Sequence, residues 1–373
     1  MKSEKKRIVQ LDGIRAVAIA SVFLHHAFHV PLLWMGVDLF FILSGFLITG
    51  VLMSGRDKTM GQYFGNFYER RARRILPPYL VLLVAVSLVF GVSSWIRHWY
   101  LYLFLMNVIL ARQLPQPGVM VILWSLAVEE QFYLVWPFAV KFLSQRALAW
   151  TAAGLMLAAP LLRWFCTPLF AHVWYIYALT PFRMDCLAAG ALLAILWRNK
   201  PAVVERYGAY GLILPPLGAA ASLWLRHMHV STYGNTQVGN TFIYELTLWT
   251  CFGVMTWALS GKFIGVLKLK PVVYLGRISY TIYLMHLFFL TMGGRFLHNR
   301  LAVAAFGAAA VVLFATISWY VIERPILEGR SRRKAATALR ALSPEEAAGD
   351  GTAPAHESTE PGQVGLGDPA VGS

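Results

Sequence analysis

The chain has 373 residues, of which 58% are hydrophobic and only 14% are charged, and its mean hydropathy is +0.57. Soluble globular proteins carry about a quarter charged residues, and a single aqueous core stops growing near roughly 250–300 residues. The composition therefore excludes an ordinary soluble domain and predicts a chain that is solvated by a lipid bilayer.

Apolar stretches recur along most of the chain. A membrane span needs about 20 mostly apolar residues to cross a hydrocarbon layer of about 30 Å. About ten stretches meet this requirement, and they run over residues 12–30, 36–54, 76–95, 121–141, 148–164, 176–197, 208–225, 242–260, 272–292 and 301–322. The apolar segment 99–111 is short and is predicted to be interfacial or re-entrant. The sequence thus predicts an all-α, polytopic membrane helical bundle.

Basic residues test the number of spans. With a cytoplasmic N-terminus, most of the 33 Lys and Arg fall in cytoplasmic segments. The positive-inside rule predicts this asymmetry for an even number of spans with both termini cytoplasmic. The net charge of +15 is therefore attributed to topology and to contact with anionic lipid or cofactor, not to nucleic-acid binding. The three Cys form no CxxC pair, so no metal site is predicted.

The composition changes near residue 335. Residues 1–334 are predicted to form one membrane domain. Residues 335–373 are rich in Ala, Gly, Pro, Ser and Glu and bury too little apolar surface to offset the entropy of ordering. We expect them to form a disordered cytoplasmic tail.

Ionisable residues interrupt several predicted spans. They are Arg15, His26, Asp38, Glu129, Glu130, Arg183, Asp185, Glu245, Arg277 and His286. A charge in the hydrocarbon layer is costly, so such groups either pair with one another between helices or line a polar path. For Arg183, Asp185 and Glu245 the sequence leaves both interpretations open.

The first predicted span carries Arg15 and His26, which are eleven residues apart. Eleven residues make close to three helical turns, so both side chains project from one face, roughly 16 Å apart along the axis. This arrangement predicts a polar path that enters from the cytoplasm. His25 and His29 lie off that face, so His26 is the better catalytic candidate.

Residues 68–78 (YERRARRILPP) place Arg70, Arg71, Arg73 and Arg74 at the cytoplasmic mouth of the third span. The planar guanidinium group binds phosphate in a bidentate manner, which a plain topological anchor does not require. The cluster predicts a phosphate-binding site, with anionic lipid headgroups as the alternative ligand.

Glu129 and Glu130 are adjacent carboxylates within the fourth span. Both cannot stay charged and unpaired in an apolar environment. One is expected to face an arginine or His26, and a carboxylate that orients a histidine would support general-base chemistry. The sequence alone leaves the partner open.

Four stretches in fixed order resemble the bacterial integral-membrane acyltransferase-3 family, whose members O-acylate surface glycans and some glycosylated metabolites. They are residues 11–26 (LDGIRAVAIASVFLHH), 36–48 (GVDLFFILSGFLI), 67–79 (FYERRARRILPPY) and 124–137 (WSLAVEEQFYLVWP). Weaker matches are 182–190, 276–286 and 319–325. The resemblance covers roughly residues 9–326.

The resemblance implies roles for individual residues. His26 matches the first-span histidine, which would act as a base or acyl carrier with Arg15 beside it. Arg71 and Arg74 best match the Arg-x-x-Arg motif that holds the acyl donor, although Arg70 and Arg73 have the same spacing. Glu129 matches the glutamate of the Trp-Ser-Leu motif. The implied donor is acetyl-CoA or another short acyl-CoA, and no metal is implied.

The predicted function is a membrane O-acyltransferase of the bacterial cytoplasmic (inner) membrane. It would transfer an acyl group, acetyl by preference, from cytoplasmic acyl-CoA to a hydroxyl of a carbohydrate or glycosylated acceptor, directly or through His26. A polysaccharide, a lipid-linked precursor and a glycosylated antibiotic all fit as acceptor. The alternative is a transporter or carrier of a lipid-linked glycan, in which the buried charges form the translocation path.

Overall fold

The structure, a computed structural model, describes residues 8–91, 98–230 and 234–329. The residues in these ranges form helices and connecting turns, with no β-strand. The helices are α1 (Gln10–Phe28), α2 (Gly36–Ser54), α3 (Met60–Phe90), α4 (Met106–Ala111), α5 (Leu123–Phe142), α6 (Gln145–Cys166), α7 (Trp174–Ala178), α8 (Met184–Asn199), α9 (Pro201–Tyr207), α10 (Leu214–His227), α11 (Tyr244–Ser260), α12 (Lys270–Phe296) and α13 (Arg300–Ser318).

Nine helical segments of the described ranges are long and apolar enough to cross a membrane. They are Gln10–Phe28, Leu33–Ser54, Met60–Val89, Gly118–Phe142, Gln145–Leu169, Pro201–His227, Gly239–Ser260, Lys270–Phe296 and Arg300–Gly329. The all-α, multi-pass architecture expected from the sequence is confirmed. The side of the membrane on which each terminus lies stays a prediction.

The sixth predicted span, 176–197, has a different form from the others. Its first part is the short helix α7, which is followed by a turn of 3₁₀ helix at Thr180–Phe182 and then by the 16-residue helix α8. Pro181 lacks a backbone N–H donor and interrupts the α-helix at this point. At about 1.5 Å per residue, α8 extends roughly 24 Å and falls short of the hydrocarbon thickness.

Helix α8 lies inside the bundle, packed against α2 and α6. The contact with α2 is close because each helix contributes a glycine. A Cβ atom added at Gly45 would overlap the backbone of Leu187, and one added at Gly190 would overlap the backbone of Ile42. Small residues that allow two backbones to approach are a common basis of helix packing in membranes.

Helix α3 begins earlier than the third predicted span, which was placed at 76–95. Thr59 caps the helix by accepting a hydrogen bond from the backbone N–H of Gln62, and the helix then continues through Pro77 and Pro78. The arginine cluster therefore lies on a regular helix, where residues three apart share a face.

The remaining expectations concern short or terminal segments. Within 99–111 the structure has a 3₁₀ turn at Trp99–Leu101 and the six-residue helix α4, and neither belongs to a candidate span. The described residues up to Ile326 form one compact unit. The predicted tail, 335–373, lies outside the described residues, so its disorder stays a prediction.

Candidate active site

A cavity with about 850 Å³ of empty space, part of it open to the surroundings, lies where α1, α2, α3, α5 and α12 meet. Its polar lining residues are Arg15, Ser44, Arg71, Arg74, Ser125, Glu129, Tyr133, Ser279, Tyr280 and Tyr283. Apolar residues of α2, among them Phe40 and Phe41, complete the wall. Such a mainly apolar cavity with a few convergent polar groups is the usual form of a small-molecule site.

The guanidinium groups of Arg15, Arg71 and Arg74 line this cavity together with a single carboxylate, that of Glu129. Arg15 comes from α1 and is held by the carboxylate of buried Asp12, 2.5 Å away. Arg71 and Arg74 are one turn apart on α3, and both therefore face inward. The surplus of positive charge makes the cavity suited to an anionic ligand.

Arg70 and Arg73 lie elsewhere. Arg73 forms an ion pair with Glu69 at 2.8 Å on the outer face of α3, where both side chains are about 40% exposed. Arg70 is exposed and lines a second groove, between the end of α2 and the start of α3, that Arg71 also lines. The helical geometry thus brings one of the two Arg-x-x-Arg pairs, Arg71 and Arg74, into the cavity.

Glu129 accepts a hydrogen bond from the Ser44 hydroxyl at 2.6 Å and interacts electrostatically with Arg71 and Arg74. The Arg71 guanidinium also lies 5.5 Å from the centre of the Tyr133 ring. Glu130 is absent from the cavity lining, and its Oε1 atom is buried without a hydrogen-bond partner among the described residues. Of the two glutamates, Glu129 is the one that takes part in the arginine cluster.

His26 contacts another histidine, His286 of α12. Nδ1 of His26 lies 3.2 Å from Nε2 of His286 and 2.9 Å from the carbonyl oxygen of Val22. His286 is fully buried, and its Nδ1 lies 2.6 Å from the carbonyl oxygen of Tyr283. The carboxylate partner that the sequence left open for His26 is not found in the described part of the chain.

The other histidines of α1 have partners of their own. Nδ1 of His25 lies 3.0 Å from the carbonyl oxygen of Val30, and Nδ1 of His29 lies 2.5 Å from the Arg300 guanidinium. Neither contacts His286 through a hydrogen bond. Of the three histidines, His26 is therefore the one that is hydrogen-bonded to His286, and its catalytic role stays a prediction.

Tyr283 connects the cavity to the histidine pair. Its side chain lines the cavity, where its hydroxyl lies 2.5 Å from Oγ of Ser125 and donates to the carbonyl oxygen of Ile122 at 3.0 Å. Its backbone carbonyl accepts the hydrogen bond from His286. His26 itself does not line the cavity and lies beyond Tyr283 and His286. The arginine cluster and the histidine pair thus lie on opposite sides of Tyr283.

Other buried charges pair across helices, which is one of the two arrangements that the sequence left open. Arg183 forms an ion pair with Asp38, whose other oxygen accepts a hydrogen bond from Thr247 at 2.8 Å. Asp185 instead pairs with Arg163 at 2.7 Å. These contacts join the N-terminal end of α8 to α2 and α6, and Thr247 joins α11 to α2.

Arg163, near the end of α6, is fully buried. It contacts Glu245 at 2.6 Å as well as Asp185 and the carbonyl oxygen of Phe182. Its two acidic partners lie far away in sequence, which is why no local pattern revealed them.

Aromatic rings surround the Arg183 guanidinium. Five ring centres lie within 4.8–5.8 Å of its Cζ atom, those of Trp34, Phe41, Trp124, Tyr177 and Tyr244. Such cation–π contacts add to the ion pair in a desolvated environment. This network is a structural centre of the bundle and stands apart from the cavity lining, with Phe41 as a shared residue.

Sequence reasoning did not single out Asp12, Ser44, Tyr133 or Tyr283 as site residues. For Asp12 a signal was present, because it precedes Arg15 by three residues and so shares its helix face. Ser44 and Tyr283 fall within the motifs 36–48 and 276–286, but their contacts depend on which helices meet. No group of three or more His, Cys, Asp or Glu able to hold a metal occurs in the described ranges.

The fold and the site define a multi-pass membrane protein with a positively charged internal cavity beside a buried pair of histidines. Comparison with known proteins gives the same class. A family model described as "Acyltransferase domain" matches residues 8–323. Because this match covers most of the chain, the chain belongs to that acyltransferase family.

Two curated relatives are similar over most of this chain. Peptidoglycan O-acetyltransferase OatA of Listeria monocytogenes is 28% identical over 86% of this chain and 56% of its own length. O-acetyltransferase OatA of Staphylococcus aureus is 27% identical over 85% of this chain and 56% of its own length. The chain thus spans a little over half the length of these relatives. No solved structure was found to match it.

Proposed function

We propose that this protein is a membrane O-acetyltransferase that transfers an acetyl group from a phosphate-bearing thioester to a hydroxyl of a saccharide. The observation that carries the proposal is the cavity, in which three arginines face one carboxylate and which adjoins the His26–His286 pair through Tyr283. The family match and the two relatives named as O-acetyltransferases support the same chemistry.

The arginines would hold the donor, for which acetyl-CoA is our choice. Arg71 and Arg74 bind its phosphates from α3, and Arg15 adds a third cation from α1. Guanidinium groups bind phosphate through paired N–H donors, and in a cavity with little water such contacts are stronger than at a surface. Arg15 and His26 lie roughly 16 Å apart along α1, a span comparable to a pantetheine arm.

His26 would carry the proton transfer at the far end of this path. Its imidazole takes the proton of the attacking hydroxyl, the hydroxyl oxygen bonds to the thioester carbonyl carbon, the C–S bond breaks, and the thiolate leaves as a thiol with the proton from His26. A route through an acetylated His26 balances in the same way in two steps. Both routes require an unprotonated imidazole nitrogen.

Glu129 would act on the arginines. Through its contacts with Ser44, Arg71 and Arg74 it orients the guanidinium groups and limits their mutual repulsion. Glu130 lies next to Glu129 and within electrostatic reach of Arg71. Neither glutamate contacts His26 through a hydrogen bond, so we assign both to the donor end of the site.

The acceptor is proposed to be a glycan of the peptidoglycan type, because the Listeria relative is named as a peptidoglycan O-acetyltransferase. The relatives are bacterial, which supports the cytoplasmic membrane as the location. The donor would enter from the cytoplasmic side, where the arginine end of the cavity is expected to lie.

The test uses membranes that contain the full chain, incubated with [¹⁴C]acetyl-CoA and peptidoglycan fragments. Base-labile radiolabel in the glycan fraction, lost in His26→Ala and reduced in Arg71→Ala, is the expected result. Unchanged labelling in both variants would defeat the assignment. A transporter of a lipid-linked glycan would produce no such ester, and free CoA would not inhibit it.

A further inference from the structure

We propose that His286 is a positioning residue for the reaction, because its Nε2 lone pair holds His26 in the tautomer whose Nε2 nitrogen is unprotonated. This inference rests on the proposed function, in which His26 handles the acceptor proton. Neither the family match nor the relatives' names assign a role to His286.

The direction of each hydrogen bond follows from the partners. A carbonyl oxygen only accepts, so Nδ1 of His286 must carry a proton and donate it to Tyr283 over 2.6 Å. In the neutral ring Nε2 of His286 is then an acceptor. It lies 3.2 Å from Nδ1 of His26, which must be the donor.

The second contact of His26 agrees with this direction. Its Nδ1 lies 2.9 Å from the carbonyl oxygen of Val22, another group that only accepts. The Nδ1–H of His26 is therefore shared between Val22 and His286, and the proton of the neutral ring is fixed on Nδ1. The lone pair of His26 is left on Nε2, the nitrogen that a base or a nucleophile requires.

His286 also affects the protonated form of His26. When Nε2 of His26 accepts the hydroxyl proton, the ring becomes a cation whose Nδ1–H bond points at the lone pair of His286. His286 is fully buried, so water does not compete for this contact. A hydrogen bond to a charged group contributes more than one between neutral groups, and His286 therefore favours the state that forms during transfer.

A neutral acceptor suits this location. In soluble hydrolases a carboxylate holds the catalytic histidine in the required tautomer. Within a bilayer an additional buried carboxylate is costly unless it is paired. Glu129 is bonded to Ser44 in the cavity. A second imidazole supplies the acceptor without adding a charge.

The activity test compares His286→Leu with His286→Gln in the radiolabel assay, at saturating and at low acetyl-CoA. The Gln side-chain oxygen can accept from Nδ1 of His26, whereas Leu has no acceptor. Loss of a hydrogen bond to a charged group corresponds to about a ten- to hundred-fold fall in rate, so we expect that fall in kcat for Leu, little change in KM for acetyl-CoA, and partial recovery for Gln.

The spectroscopic test reads the tautomer of His26 in the wild-type chain. In the full chain labelled with ¹⁵N-histidine, the ring nitrogens of His26 should show protonated Nδ1 and unprotonated Nε2 near neutral pH, and His286→Leu should mix the two tautomers. His26→Ala identifies the His26 signals. A wild-type His26 with its proton on Nε2 would overturn the inference.

The outcomes separate this inference from the proposed function. If His26→Ala keeps the wild-type rate, the proposed function fails. If His26→Ala is inactive but His286→Leu keeps the wild-type kcat, only the positioning role fails. Equal losses in His286→Leu and His286→Gln, with the His26 tautomer unchanged, would show a role in packing alone and would also overturn it.

Discussion

The hydroxyl of Ser44 on α2 donates a hydrogen bond to the carboxylate of Glu129 on α5 over 2.6 Å. This contact joins two walls of the cavity at the carboxylate that faces Arg71 and Arg74. The orientation of the arginine pair thus depends on a residue of another helix, and several measurable consequences follow from this arrangement.

Removal of the Ser44 hydroxyl should weaken donor binding. In Ser44→Ala, Glu129 loses a hydrogen bond to a charged group, worth about 1.5–3 kcal/mol, and holds Arg71 less firmly. We expect a several-fold rise in KM for acetyl-CoA with a smaller change in kcat. Ser54→Ala at the end of α2 is the matched control, because Ser54 is exposed and its hydroxyl bonds to the carbonyl of Gly50. An equal effect in both variants would contradict the role of Ser44.

The two arginine pairs should differ in their effect on donor binding. Arg71→Lys keeps the charge in the cavity but removes the planar fork, so KM for acetyl-CoA should rise by about ten-fold, as expected for loss of a paired contact. Arg73→Lys changes only an exposed ion pair with Glu69, worth about 0–1 kcal/mol. Its KM should stay near the wild-type value. A reversed order would place the donor on the outer face of α3.

Because α2 and α8 are in close contact, Gly45 and Gly50 of α2 should differ in their tolerance of alanine. A Cβ atom at Gly45 would overlap the backbone of Leu187, whereas one at Gly50 meets nothing within 4 Å. Gly45→Ala is therefore expected to cost about 1–3 kcal/mol through overpacking, and Gly50→Ala should be neutral or stabilising. Thermal unfolding in detergent measures both, and equal midpoints would contradict this packing.

Loss of only one partner of the buried ion pair between Asp38 and Arg183 should destabilise the protein. Asp38→Asn leaves a desolvated guanidinium without its counter-charge, which destabilises a protein by about 3–5 kcal/mol. Asp38→Asn combined with Arg183→Met should recover part of this loss. Asp57→Asn at an exposed turn serves as the control. If the double variant were less stable than Asp38→Asn, the pair would not be the source of the effect.

The class of fold and the arginine end of the site could be predicted from the sequence. Hydropathy and length predicted the spans because the requirement for about 20 apolar residues is local to each helix. The spacing within α1 and α3 likewise indicated which side chains share a face. These are properties of a single helix, and one sequence is sufficient for them. The preference for Arg71 and Arg74 over Arg70 and Arg73 came from the family resemblance, because both pairs have the same spacing.

Contacts between helices could not be predicted in the same way. The partner of His26 is 260 residues away, and Arg183 pairs with Asp38 rather than with Asp185, its neighbour in sequence. Which helices meet depends on packing features such as Gly45 and Gly190, which no periodic pattern reveals. The length of α8 was missed because the apolar composition continues through Pro181.

The short helix α8 has a consequence for how the protein is made. Arg183, immediately before the helix, and Asp185 in its first turn oppose its entry into lipid as an isolated segment, and its 16 residues are too few to compensate. Asp38 and Arg163, which neutralise them, are synthesised earlier in the chain. We expect α8 to enter the bilayer only after these partners are in place. The order of translation would then guide the assembly of the bundle.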